Sequence, residues 1–161
     1  MNTKIIYTLI IFLSLSHIGF SQVTHTTEKY YFSFQASSDL EVYDTESKRV
    51  IGYESDDKAV DTEIFFPNEV SKNYLNDLAR TTEQVASMLS LKEVQTAQKL
   101  PNVVNGYYVR CSDIDEGKKI PVYAVVMYNK ERNLIYEATI YCYDGDVEGG
   151  KKIAQSFTLL K

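Results

Sequence analysis

The segment IYCYDGD, Ile140–Asp146, sets one of the two cysteines of a 161-residue chain between two tyrosines and runs into aspartates on either side of a glycine. A thiol in this setting is a nucleophile or redox group, a metal ligand, half of a disulfide, or buried packing. Reactive thiols are thiolates, which form where Lys, Arg, His or a second cysteine two residues away lowers the pKa. Cys142 has no such neighbour, which argues against redox and nucleophilic roles. Asp144, Asp146 and Glu148 recur at every second position with Gly149 sixth, echoing the first half of a calcium loop. The twelfth position is Gln155 rather than a bidentate Glu, the eighth is Lys151, and no helix is expected before the loop. An acidic turn opening a helix fits better, because carboxylates suit the positive helix start. DIDEG, Asp113–Gly117, has the same weakness and reads as a hairpin turn.

Missing residues narrow the chemistry further. Of two histidines, His17 falls in an N-terminal segment expected to be removed, which leaves His25 alone. One histidine builds neither a Ser-His or Cys-His pair nor a multi-histidine zinc site. Neither GxxxxGK[ST] nor GxGxxG is present, so no phosphate cradle is expected. The net charge of −5 becomes −6 once Lys4 is lost, and an acidic chain makes a poor partner for nucleic acid, whose phosphates call for clustered Lys and Arg. Paired carboxylates remain as a route to catalysis, but their facing across a cleft is not a property of sequence.

Met1–Lys4 is short and basic, Ile5–Leu15 is apolar, and GFSQ follows with Gly19 and Ser21 at the −3 and −1 places of a cut. That is the layout of a secretory signal over residues 1–21. No later apolar run is long enough to span a bilayer.

Residues 22–161 must then supply the elements. EKYYFSFQ (Glu28–Gln35) reads as a strand, DLEVYD and RVIGYES as a hairpin, and VDTEIFF (Val60–Phe66) as a strand closed by Pro67. Asn68 stands as an N-cap, and Val70, Tyr74, Leu75, Leu78, Val85, Ala86 and Leu89 follow at three- and four-residue spacing, predicting a long helix over Glu69–Ser90. EVQTAQKL, VVNGYYVRC, IPVYAVVMY and LIYEATIYCY read as strands, the last three as an antiparallel meander. The middle strand of that meander is apolar on both faces, with Ile120, Val122, Ala124 and Val126 on one and Tyr123, Val125 and Met127 on the other. It needs cover on both sides. The long helix supplies one cover, and a second helix carrying Ile153, Ala154, Phe157 and Leu160 supplies the other. The fold class is α+β, a mostly antiparallel sheet sandwiched between helices.

Two cysteines in an exported chain invite a bridge. Cys111 and Cys142 end strands that run parallel, and alternation sets both on one face. An intervening strand keeps their Cα atoms about 9–10 Å apart, against less than about 7 Å for a disulfide. Either a strand end curls over, or the strand order differs, or both thiols are buried and free. The chain also holds thirteen tyrosines. Tyr108, Tyr123, Tyr141 and Tyr143 recur in the meander, and either line one recognition patch or serve as ordinary strand residues under a helix.

The run VDTEIFFP, a long helix, VVNGYYVRC, VYAVVMY, IYEATIY and a closing KKIAQSF resembles the PsbP-like family, which includes an extrinsic photosystem II protein and a Ran-binding nuclear import factor. Gly106 near the start of the meander and the closing Ser156-Phe157 fit that layout, which covers about Tyr30 to Phe157. The resemblance implies a single α/β/α domain over residues 22–161 with no family-wide catalytic set. The expected function is a non-catalytic binding or assembly module of the bacterial envelope, periplasmic or secreted, with an envelope protein or small ligand as partner and no cofactor or metal. The alternative is a small-ligand carrier with a pocket between helix and sheet.

Overall fold

The computed structural model describes residues 22–161 except Asp44 and Glu46; the expected signal, residues 1–21, lies outside the described residues. The strands are β1 (Gln22–Thr27), β2 (Phe32–Ser37), β3 (Glu41–Tyr43), β4 (Val50–Glu54) and β5 (Lys58–Phe65). Helix α1 (Leu78–Met88) follows, then β6 (Gln98–Lys99), β7 (Gly106–Asp115), β8 (Lys118–Asn129), β9 (Leu134–Cys142), helix α2 (Val147–Ser156) and β10 (Thr158–Leu159). Seven strands form one sheet in the order β3-β4-β5-β9-β8-β7-β6, and β1-β2-β10 form a second. Every pairing between these strands is antiparallel.

Strand β8 is buried from both sides, as its sequence requires. Val122, Ala124 and Val126 pack beneath α1, while Tyr123, Val125 and Met127 face the layer that holds α2. The β7–β8 turn is two residues, because Asp115 pairs Lys118. Glu116 (φ 47°) and Gly117 (φ 82°) both take positive φ, as the twist-matched hairpin turn demands.

The second cover is more than a helix. The small sheet joins α2, and Phe32, Phe34 and Phe157 stack there with ring centroids 5.2–6.0 Å apart. Ser156 Oγ accepts from the Gln35 amide at 2.8 Å and donates to the Ile153 carbonyl at 2.7 Å, tying the end of α2 to β2. Helix α2 lies close on the main sheet because Gly150 has no side chain; a Cβ there would overlap Cys142 Sγ and sit 2.9 Å from the Tyr123 ring.

Three expected elements differ. The helix expected over Glu69–Ser90 is shorter: Pro67–Glu69 is a 3-10 turn and α1 starts at Leu78. Asp77, not Asn68, caps it, accepting from the Arg80 amide at 3.1 Å. Ser71, Asn73 and Asn76 favour turns over helix interior, while Val70, Tyr74 and Leu75 still reach the cluster of Leu78 and Val85. EVQTAQKL contributes only β6, and the isolated bridge to Ser112 is made by Lys92 just before it. The Glu28–Gln35 strand divides into a 3-10 turn and β2. Among the described residues no helix is long and apolar enough to cross a membrane.

Candidate functional site

Helix α1 covers only part of its face of the sheet, the part over β7 and β8. Strand register carries that face outward in rows. One row runs Ala124, Thr139, Asp61, Gly52, Tyr43. The next runs Val122, Tyr141, Ala59, Glu54, Glu41, and the third Val126, Glu137, Glu63, Val50. Each row is aliphatic at β8, under the helix. Beyond it the face turns to tyrosine and carboxylate, and no lysine or arginine occupies a position in these rows.

Two tyrosine–carboxylate pairs organise the open part. The Tyr43 hydroxyl donates to Asp61, and its ring lies over Gly52, where any Cβ would overlap it. Burial first, then the Asp61 hydrogen bond and charge, hold the Tyr43 phenol above its ordinary pKa. The Tyr74 hydroxyl donates to Glu137. Burial raises the Glu137 carboxyl above the usual range; the Tyr74 bond opposes this and Glu63, directly across the strand pair, adds to it. Tyr141 and Tyr143 stack with centroids 6.2 Å apart and planes 9° from parallel, and burial pushes Tyr141 up to about 12. The face ends in an open hollow of about 830 Å3. Glu41, Glu54, Asp39, Asp56 and Asp57 line it with Tyr43, Tyr143 and an exposed Val42, and among the described residues no cationic side chain lines it. Phenol hydroxyls beside carboxylates make a hydrogen-bonding, cation-accepting surface.

A second concavity, about 460 Å3, lies between the start of α2 and the β2–β3 and β4–β5 connections, with Ala36, Leu40 and Ile153 as its apolar floor. Lys58 Nζ bonds Asp144 at 2.6 Å and Asp146 at 3.6 Å. Burial works against this ammonium, but the two aspartates outweigh it and its pKa is raised. Asp146 also caps α2, accepting from the Gly149 amide at 2.8 Å. These acids thus serve an ion pair and a helix cap.

The four tyrosines expected in one patch divide between the faces. Tyr108 and Tyr123 are buried on the α2 side. The Tyr108 hydroxyl donates to Gln98 at 2.6 Å and accepts from Gln155 at 2.9 Å, and that of Tyr123 donates to the Val147 carbonyl at 2.8 Å. Tyr141 and Tyr143 lie half-buried on the α1 side. The cysteines divide likewise, correcting the expectation of a shared face. Val122 stands opposite both Cys111 and Tyr141, so Cys142, one residue on, points the other way. Both thiols are free and buried, and burial pushes each up to about 12.

Sequence reasoning missed Tyr43, Asp61, Glu63, Tyr74 and Glu137. Two signals were present: VDTEIFF alternates acids with apolar residues, and Glu137 is a lone acid in the apolar run LIYEATIY.

No family model matches the sequence, and no curated protein matches it. Solved structures share the fold. The Ran-binding protein Mog1p of Saccharomyces cerevisiae aligns with TM-score 0.57 and 6% identity over 89% of this chain and 97% of its own. Cyanobacterial PsbP (CyanoP) of Synechocystis sp. PCC 6803 aligns with TM-score 0.58 and 14% identity over 89% and 95%. A Bacteroides thetaiotaomicron structure aligns with TM-score 0.57 and 12% identity over 86% of this chain, which spans 48% of that one. At these identities the likeness is one of fold, and it is the fold that the PsbP-like resemblance implies.

Proposed function

We propose that this protein is a non-catalytic binding or assembly module of the bacterial envelope, and that it engages its partner through the acid-and-tyrosine face beside α1. The observation that carries this is the abrupt change along each row, from aliphatic under α1 to tyrosine and carboxylate where, among the described residues, no helix lies over the sheet. Tyrosine suits recognition, since it offers a flat apolar ring with a polar tip. Mog1p, which has the same fold, is a Ran-binding protein, so the sandwich serves binding elsewhere. The envelope assignment rests on the signal-like sequence of residues 1–21.

Site-specific photocrosslinking in the host tests this. A photoreactive residue replacing Glu54 or Glu63, both exposed, is expected to give a discrete protein adduct that a probe at Lys130, in the β8–β9 turn, does not. Adducts equally strong from Lys130, or none from the face, overturn the proposal. The small-ligand carrier is favoured by one observation, the apolar-floored concavity between α2 and the sheet connections. It predicts extra mass in a native mass spectrum of the host-derived protein, lost when Ser55→Trp fills that space.

A further inference from the structure

Taking that face as the recognition surface, we infer that its occupant is an arginine-bearing polypeptide segment of a partner protein. Charge complementarity is the first ground. Five carboxylates line the hollow at the end of the face and, among the described residues, no Lys or Arg does, while Asp61, Glu63 and Glu137 continue the acidic surface inward along β5 and β9. The nearby ammonium groups are engaged elsewhere. Lys58 lies on the opposite face and pairs with Asp144; Lys118 donates to the Tyr143 carbonyl and does not line the hollow.

The arrangement selects among cations. Glu41 stands directly across from Glu54, and Glu63 from Glu137. Like charges held opposite one another are destabilising, and a cation laid between them relieves that. From β3 to β9 is three strand spacings, about 14 Å, the length of roughly four extended residues. A segment of that size brings several cations to carboxylates a single ion cannot span; among the described residues no three His, Cys, Asp or Glu side chains converge as metal ligands. Tyrosine rings interleaved with the acids favour arginine over lysine, because guanidinium stacks on aromatic faces and bonds carboxylates in a fork. The molecule already contains such a contact, with the Arg132 guanidinium 3.5 Å from the centre of the Tyr31 ring. A second copy of this chain does not suit the site, since a twofold contact sets acid against acid, and anionic lipid or nucleic acid is repelled.

The test is a titration of residues 22–161 with fluorescent hexa-arginine, hexa-lysine, hexa-glutamate and spermine. Hexa-arginine is expected to bind best, with affinity falling as salt rises. Glu41→Gln with Glu54→Gln is expected to weaken it about fivefold, as two partly exposed ion pairs predict. Removing facing like charges does not threaten folding. Glu28→Gln with Glu131→Gln, which removes equal charge away from the hollow, is expected to leave binding nearly unchanged. Tyr143→Leu is expected to bring arginine and lysine peptides level. Equal weakening by the two double variants overturns the inference, as net charge alone then explains binding. Spermine binding as tightly as hexa-arginine overturns it in favour of a small polyamine. Dimerisation abolished by Glu54→Gln overturns it in favour of a second copy. Photocrosslinks from Glu54 or Glu63 without hexa-arginine binding overturn this inference alone; loss of both overturns the recognition face as well.

Discussion

Replacing Gly150 with alanine tests the α2 interface and the state of Cys142 together. A methyl group there overlaps Cys142 Sγ and lies 2.9 and 3.0 Å from two Tyr123 ring carbons, where relaxed contacts fall at about 3.5–4.0 Å. Neither neighbour is free to retreat. Cys142 is fully buried, and the Tyr123 ring is fixed by its hydroxyl bond to Val147 on the same helix. Overpacking of this kind costs about 1–3 kcal/mol, and this overlap belongs near the top of that range. Alanine's better helix propensity returns about 1 kcal/mol, so Gly150→Ala loses about 2 kcal/mol. Cys142→Ala alone removes one buried heavy atom and loses about 1 kcal/mol. Independent sites would then lose about 3 kcal/mol together. The double variant removes the worst overlap and is expected to lose only about 1–1.5 kcal/mol, a coupling of about 1.5–2 kcal/mol. Urea unfolding followed by circular dichroism under reducing conditions reads all four proteins. Additive losses, or a Gly150→Ala protein as stable as the parent, would refute the close packing inferred here.

Other substitutions probe other parts. Burial and Glu63 raise the folded-state pKa of Glu137 above its unfolded value, so its ionised form is destabilising at neutral pH and that penalty fades as pH falls toward the unfolded value. Glu137→Gln, whose amide oxygen still accepts from Tyr74, is expected to raise the melting temperature near neutral pH, with the gain gone near about pH 4; a gain independent of pH contradicts this. Among the described residues the buried Tyr136 hydroxyl meets no partner in hydrogen-bond geometry, so Tyr136→Phe should be neutral or stabilising, whereas Tyr123→Phe should lose about 1 kcal/mol in the same urea assay. At the β7–β8 turn, Gly117→Ala meets open space but the wrong φ and should lose about 1–2 kcal/mol. Glu116→Asn, better suited to φ 47°, should gain about 0.5 kcal/mol.

The layered fold was legible because local patterning specifies it. Strand β8 is apolar from Ile120 to Tyr128, so two covers were required, and Gly106 and Ser156-Phe157 stand where the layout needs them. The candidate face was not legible, because it depends on pairing between distant segments. Asp61 and Glu63 meet Thr139 and Glu137 only once β5 aligns on β9, across a long sequence gap, and alternation within one strand does not reveal that partner. The cysteine error has a more local cause, the register of the β7–β8 and β8–β9 hairpins. Which face Cys142 takes follows from register with Val122, and a shift of one residue reverses it. The overlong helix has a local cause: Val70, Tyr74 and Leu75 keep helical spacing and point to the core, but the Ser and Asn residues between them hold the backbone in turns.

The tie between Gln35 and Ser156 joins residues 121 positions apart, and it bears on the order of events during synthesis. Phe32, Phe34 and Ala36 leave the ribosome long before Phe157, the aromatic lid they pack against. Until then this half of the molecule cannot close, and its apolar strand stays available to holding chaperones. A chain whose native contacts span so much sequence folds slowly, and under the export proposed above that delay would suit a translocation channel, which accepts chains before they fold.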